Sequence, residues 1–253
     1  MTLVVENLAR EFGGVAAVDG VSFALEQGER RVIIGPNGAG KTTLFNLLAG
    51  TLRPSAGRVE LLGRDVTRDP AFRRARLGLR RTFQIPSLLR SLTVFENVRL
   101  AVQAGEPYCW APFAPRAQLE SWRRRTETLL EEWFLAEVAS IPVKELSHGF
   151  QRQVEIALAL AHFPSLLLLD EPTQGLSPAE TELVTSAIGK ISRKITILMI
   201  EHDLAVAFAL ADRLTVMHQG KILVEGSVDE IRANDRVTEV YFGASDLDAP
   251  VGA

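Results

Sequence analysis

Two short runs carry the side chains best suited to chemistry. The first, Gly35-Pro36-Asn37-Gly38-Ala39-Gly40-Lys41-Thr42, fits the spacing Gly-x-x-x-x-Gly-Lys-Thr, and Thr43 follows it. Glycines at these places let backbone N–H groups curl around phosphate oxygens, and a helix starting at the lysine adds its positive end. Lys41 would reach the β- and γ-phosphates, and the Thr42 hydroxyl would serve Mg²⁺. The second run, Leu166-Leu-Leu-Leu-Asp170-Glu171, ends an apolar stretch in two carboxylates. Asp170 suits a Mg²⁺ shell, directly or through water. Glu171 suits the general base that takes a proton from an attacking water. Acidic residues also cap the helix after a strand, but beside a phosphate loop the chemical role fits better.

These residues need rigid elements to hold them. Arg31–Ile34 predicts a buried strand running into the Gly-rich loop, and Thr43–Ala49 predicts a helix that Gly50 stops. Leu3–Leu8 and Val21–Leu25 alternate like half-buried strands, with turns at Gly13-Gly14, Gln27-Gly28 and Pro54–Gly57. Leu166–Leu169 and Ile195–Ile200 read as core strands separated by a helix. Another helix near Leu204–Leu210 precedes a strand pair around His218-Gln-Gly220. Strands alternating with helices imply a mainly parallel α/β sheet, and its ligands would sit at the carboxyl ends of the strands. Both carboxylates would then face Lys41.

Bulk properties narrow the class. Of 253 residues, 47% are apolar and 23% charged, as in an ordinary globular protein. Lys and Arg total 28 against 31 Asp and Glu, so no basic excess points to nucleic acid. The single Cys109 has no internal disulfide partner. No run approaches the roughly 18 apolar residues of a membrane span, and Met1–Glu6 lacks the pattern of a secretion signal. Work at a membrane would require docking onto another chain.

Further motifs make the chain resemble the ABC ATPase family over nearly its whole length. Leu146-Ser-His-Gly-Phe150 is similar to the family signature Leu-Ser-Gly-Gly-Gln. Gln84, in Arg81-Thr-Phe-Gln84, stands at the family's Q-loop, and His202, in Ile200-Glu-His-Asp203, at its switch histidine. Phe12 stands where the family stacks an aromatic on adenine. The resemblance implies an ABC ATPase core of about 1–83 and 164–245 that includes an N-terminal antiparallel β subdomain. It also implies an inserted helical subdomain of about 84–163, and the tail 246–253 is expected to be disordered. Implied roles are a γ-phosphate contact for His202 and a bridge from Mg²⁺ to the attacking water for Gln84. Ser147 and the Gly149 N–H would contact the γ-phosphate held by a second ATPase subunit.

Arg81–Gln84, Leu92-Thr-Val-Phe-Glu-Asn97, Ile200–Asp203 and Glu239-Val-Tyr-Phe-Gly243 resemble the ATPases of branched-chain amino acid, urea and amide importers. That branch implies two transmembrane permease subunits, a second ABC ATPase, a solute-binding protein reached indirectly, and a peripheral place on the cytoplasmic face of the cell membrane. The expected docking surface is 84–125, with Ile85–Leu89 as an exposed apolar patch. Two departures stand out: Ser177 where the family's D-loop usually carries Asp, and His148 and Phe150 in the signature. The Arg-rich stretch Arg73–Arg81 reads as solvated surface or as a contact for anionic headgroups. A soluble ABC ATPase, as in iron–sulfur cluster assembly, is the alternative. A GTPase would need an Asn-Lys-x-Asp run, which the sequence lacks.

Overall fold

The computed structural model describes residues 1–82, 88–104 and 115–237. Two sheets organise the chain. β1 (Leu3–Phe12), β2 (Val15–Leu25), β4 (Ala56–Leu61) and β5 (Arg64–Asp65) form an antiparallel sheet in the order β2-β1-β4-β5. β3 (Arg30–Ile34), β6 (Leu79–Arg81), β7 (Leu166–Asp170), β8 (Thr196–Ile200), β9 (Arg213–His218) and β10 (Lys221–Gly226) form the second, ordered β10-β9-β3-β8-β7-β6. Every pairing in it is parallel except the β9–β10 hairpin, which turns at Gln219-Gly220.

The parallel strands are apolar on both faces because both faces are covered. Val32, Ile34, Leu167, Leu169, Ile197 and Met199 point into one core; Ile33, Leu166, Leu168, Leu198 and Ile200 point into another. The period-2 alternation of a strand thus feeds two separate cores. α1 (Lys41–Ala49) lies in the second core with the antiparallel sheet, through Leu44, Phe45, Leu47 and Leu48. The first core is closed by α3 (Val94–Gln103), α4 (Arg116–Glu132), α5 (His148–Leu160), α6 (Pro178–Gly189) and α7 (Leu204–Leu210). The short helices α2 (Ala71–Arg76) and α8 (Val228–Arg232) complete the set. No helix among the described residues is long and apolar enough to cross a membrane.

The Arg-rich stretch is not uniformly solvated. Arg73 and Arg76 are exposed beside the exposed ring of Phe72, but Arg74 is fully buried. Its guanidinium donates to the carbonyls of Leu47 and Leu48, both at 2.7 Å, and to those of Asp69 and Thr67. The last carbonyls of a helix lack intrahelical partners, so Arg74 caps the C-terminus of α1. Gly50 makes room for it: with φ 75°, a Cβ there would lie 2.8 Å from Arg74 Nε.

The patch expected at Ile85–Leu89 also divides. Residues 85–87 lie outside the described residues, Leu88 is only 9% exposed and packs in the helical core, and Leu89 is 51% exposed. Leu88 therefore belongs to the fold and Leu89 to the surface. The tail expected at 246–253, the run Glu239–Gly243 and Cys109 lie outside the described residues.

Candidate active site

Register brings the reactive residues to one edge of the parallel sheet. Ile33 and Asp170 both pair with Ile200, so β3, β7 and β8 end level. The Gly-rich loop leaves β3, Glu171 follows β7, and His202 stands two residues past β8. Two bonds lock the edge: the Glu171 N–H donates to the Ile200 carbonyl at 3.0 Å, and the Glu201 N–H to the Ile33 carbonyl at 3.2 Å.

The loop needs glycine where other backbone crowds it. A Cβ on Gly35 would lie 2.2 Å from the Met217 carbonyl oxygen, and one on Gly40 (φ 96°) 2.2 Å from that of Ala17. The second contact seats the β1–β2 hairpin against the loop. Asn37, Gly38, Ala39, Gly40, Lys41, Thr42, Thr43, Glu171 and His202 line one cavity of about 210 Å³. A neighbouring cavity of about 390 Å³ shares Asn37, Glu171 and His202 and adds Thr173 and Glu201.

Lys41 is buried, and its ammonium donates to the carbonyls of Gly35 (2.6 Å) and Pro36 (3.0 Å). Burial lowers its pKa, while Glu171 and Asp170 pull the other way. An ammonium folded back on its own loop has donors ready to pass to an incoming phosphate. Glu171 is buried with φ 47°, a left-handed backbone that costs about 1–3 kcal/mol at a non-glycine residue and gathers at functional sites. Its Oε1 stands 2.5 Å from His202 Nε2. Arg152 donates to the Glu171 carbonyl at 3.2 Å.

Asp170 is buried, and its Oδ2 receives Arg81 Nη2 at 2.7 Å. Arg81 Nη1 reaches Asn46 Oδ1 in α1, also at 2.7 Å. A guanidinium thus ties β6, β7 and the helix after the loop together at the expected Mg²⁺ carboxylate. Glu201 is likewise buried and accepts from the N–H (3.2 Å) and hydroxyl (2.9 Å) of Thr173 and from the His202 N–H (3.2 Å). It joins the loop after β7 to the loop after β8. Neither Arg81 nor Glu201 stood out in the sequence, although both occur inside motifs quoted there. A charge next to a core strand was the signal available.

The remaining expected residues lie elsewhere. Ser147 is the exposed N-cap of α5, and neither it nor Gly149 lines the loop cavity. Phe12 is 47% exposed at the end of β1, with the Arg10 guanidinium carbon 4.7 Å from its ring centre, so it is not core. Gln84 lies outside the described residues. In the signature, His148 is exposed while Phe150 is half-buried against the helical core. Ser177 caps α6 in a reciprocal pair with Glu180, a place where serine serves as well as aspartate.

Residues 18–174 match the family model described as ABC transporter. The chain belongs to that family. It is 39% identical to the high-affinity branched-chain amino acid transport ATP-binding protein LivG of Salmonella typhimurium, over 95% of this chain and 97% of that one. It is 37% identical to the corresponding protein BraF of Pseudomonas aeruginosa, with the same coverage of each chain. A crystal structure of a nucleotide-free ATP-binding cassette from an ABC transporter superposes with a TM-score of 0.82 at 31% identity, covering 96% of this chain and 99% of that one. The ADP conformation of an ATP-binding cassette superposes with a TM-score of 0.81 at 30% identity, covering 96% and 98%. The family's nucleotide-binding, ATP-hydrolysing core is therefore the frame in which the loop cavity of this ABC ATPase has to be understood.

Proposed function

We propose that the chain hydrolyses ATP to power uptake of a small solute of the branched-chain amino acid class. It works at the cytoplasmic face of the membrane, with a second ABC ATPase, two transmembrane permeases and a solute-binding protein reached through them. The observation that carries the reading is a cavity lined by Asn37–Thr43, Glu171 and His202, in a chain alike over 95% of its length to LivG and BraF. In this reading Lys41 and the N–H groups of the loop hold the phosphates, with Thr43 beside them, and Phe12 stacks on adenine.

Glu171 takes the proton of the attacking water, and His202, already in contact with it, orients that carboxylate and the γ-phosphate. Thr42, Asp170 and Gln84 suit Mg²⁺, which is usually held by one or two carboxylates and substrate phosphates rather than a full protein cage. Thr42 lines the loop cavity, and Arg81 fixes one oxygen of the Asp170 carboxylate at 2.7 Å, which orients that group. Mg²⁺ would neutralise charge on the phosphates. Ser147 and the Gly149 N–H lie outside the loop cavity, which suits donors that serve a nucleotide on the second ATPase subunit.

Glu171→Gln tests the assignment. ATP binding should persist while turnover falls by about 10²–10⁴-fold, and the ATP-bound pair of cassettes should accumulate. Phosphate release and nucleotide binding measured on the same preparation decide it. Near-normal hydrolysis removes Glu171 from the mechanism.

A further inference from the structure

One carboxylate serves the starts of two helices. Glu180 is the third residue of α6, and its Oε2 accepts from the Ser177 N–H (3.0 Å) and hydroxyl (2.8 Å). Its Oε1 reaches across to α5 and accepts from the Gly149 N–H at 3.0 Å. The Ser177 N–H leads the groups that hold Glu180 at a pKa of about 2, with the Ser147 and Ser177 side chains and the Gly149 N–H behind it. The approach is close: a Cβ on Gly149 would lie 2.7 Å from Glu180 Cγ and 2.9 Å from its Cβ. A helix start favours an anion, and here the anion comes from the same chain.

The Gly149 N–H and the Ser147 hydroxyl are the two donors assigned above to the γ-phosphate of the partner cassette. A backbone N–H has one hydrogen to give, so carboxylate and phosphate compete for it. We propose that Glu180 is a positioning residue that occupies the Gly149 N–H of the signature in the unpaired chain and must release it before the partner's γ-phosphate can bind. This inference rests on the two-cassette reading of the preceding section. Closure then exchanges one anion for another at α5. The gain from binding phosphate is smaller than a free helix start would provide, so more ATP is needed to close the pair. The exchange also ties the loop ending at Ser177 to the signature, because the same side chain holds both.

Glu180→Gln keeps the shape and a capping acceptor while removing the charge. In a Glu171→Gln background, pairing is separated from hydrolysis. The ATP concentration for half-maximal pairing is measured on the chain alone and on the chain co-purified with its transporter subunits. It should fall about three- to tenfold, since charge-assisted hydrogen bonds are roughly twice as strong as neutral ones. The Kd for ADP should not change, because ADP has no γ-phosphate to claim the donors. A merely structural role would move ATP and ADP together, with a lowered Tm.

An unchanged or raised ATP requirement with an intact Tm overturns the proposal. Should the Gln variant fail to fold, ¹³C-labelled glutamate in the chain carrying only Glu171→Gln gives a second readout. The Glu180 carboxyl should then titrate from about 2 in the unpaired chain toward the ordinary carboxylate range in the paired one. A titration that does not move overturns the proposal as well. Absence of ATP binding with Glu180 intact, or binding without pairing in either preparation, counts instead against the ATPase reading itself.

Discussion

The Glu201 carboxylate accepts three hydrogen bonds, yet burial still pushes its pKa up to about 6. Desolvation outweighs the bonds because the charged form loses more hydration than three donors restore. An acid whose folded pKa lies above its unfolded value favours the folded state below the unfolded pKa. That contribution disappears as pH rises through the folded one. From an ordinary value of 4.5 to about 6, the contribution is about 2 kcal/mol, complete below about 4.5 and gone above about 6. Glu201→Gln should therefore gain on the unsubstituted protein by about that amount between pH 4.5 and 7. Denaturant unfolding of both proteins across that range checks it; parallel curves would show that Glu201 keeps an ordinary pKa. The residue stands one position before His202 and accepts its N–H, at the edge of the candidate site.

Among the elements, the turn before α3 explains a motif that the sequence presented only as a resemblance. Thr93 and Glu96 form a reciprocal capping box at the start of α3. The Asn97 amide accepts from the Leu89 N–H at 2.9 Å and donates to the carbonyls of Leu89 (3.1 Å), Leu92 (3.4 Å) and Thr93 (2.9 Å). Leu92–Asn97 is thus a clasp that fixes the turn, burying Leu88 and presenting Leu89. A charge at the two positions should act in different ways. Leu89→Glu should leave Tm and ATP binding intact but abolish co-purification with the permeases. Leu88→Glu should lower Tm sharply, because an unpaired carboxylate in an apolar core costs several kcal/mol. Normal assembly of a folded Leu89→Glu would place the docking surface elsewhere.

For the whole molecule, the residues proposed for the reaction divide between two places. The loop, Glu171 and His202 share a cavity, while Ser147 and Gly149 stand at the start of α5 outside it. Of the two signature departures, His148 is exposed, and Phe150 turns toward the core and α6. Any effect on partner choice therefore belongs to His148, which is exposed between Ser147 and Gly149, the donors proposed for phosphate. The chain alone should bind ATP but pair and hydrolyse weakly, and gain activity with its partner ATPase and permeases. Turnover per chain measured against protein concentration, with and without those subunits, tests this. Full activity from a self-paired chain would make His148 neutral variation.

The parts of this protein legible in residue order are those that local chemistry enforces. A Gly-rich run ending in Lys41-Thr42 has the pattern of a phosphate-binding loop, and apolar runs ending in Asp170-Glu171 or preceding His202 must be core strands. Their shared edge follows from parallel pairing. The partners of several charged groups were not legible, because they are distant in sequence. Arg74 caps α1 from 26 and 27 residues away, Arg81 meets Asp170 across 89, and Glu180 meets Gly149 across 31. Nothing in a run of arginines says which one is buried. Hydrophobic alternation likewise located the strands but left open that Leu88 turns in while Leu89 turns out. That choice is made by the Asn97 clasp. Local pattern specifies which groups need satisfying, and tertiary packing alone specifies what satisfies them, because desolvation forces each buried polar group to find a partner that only folding brings near.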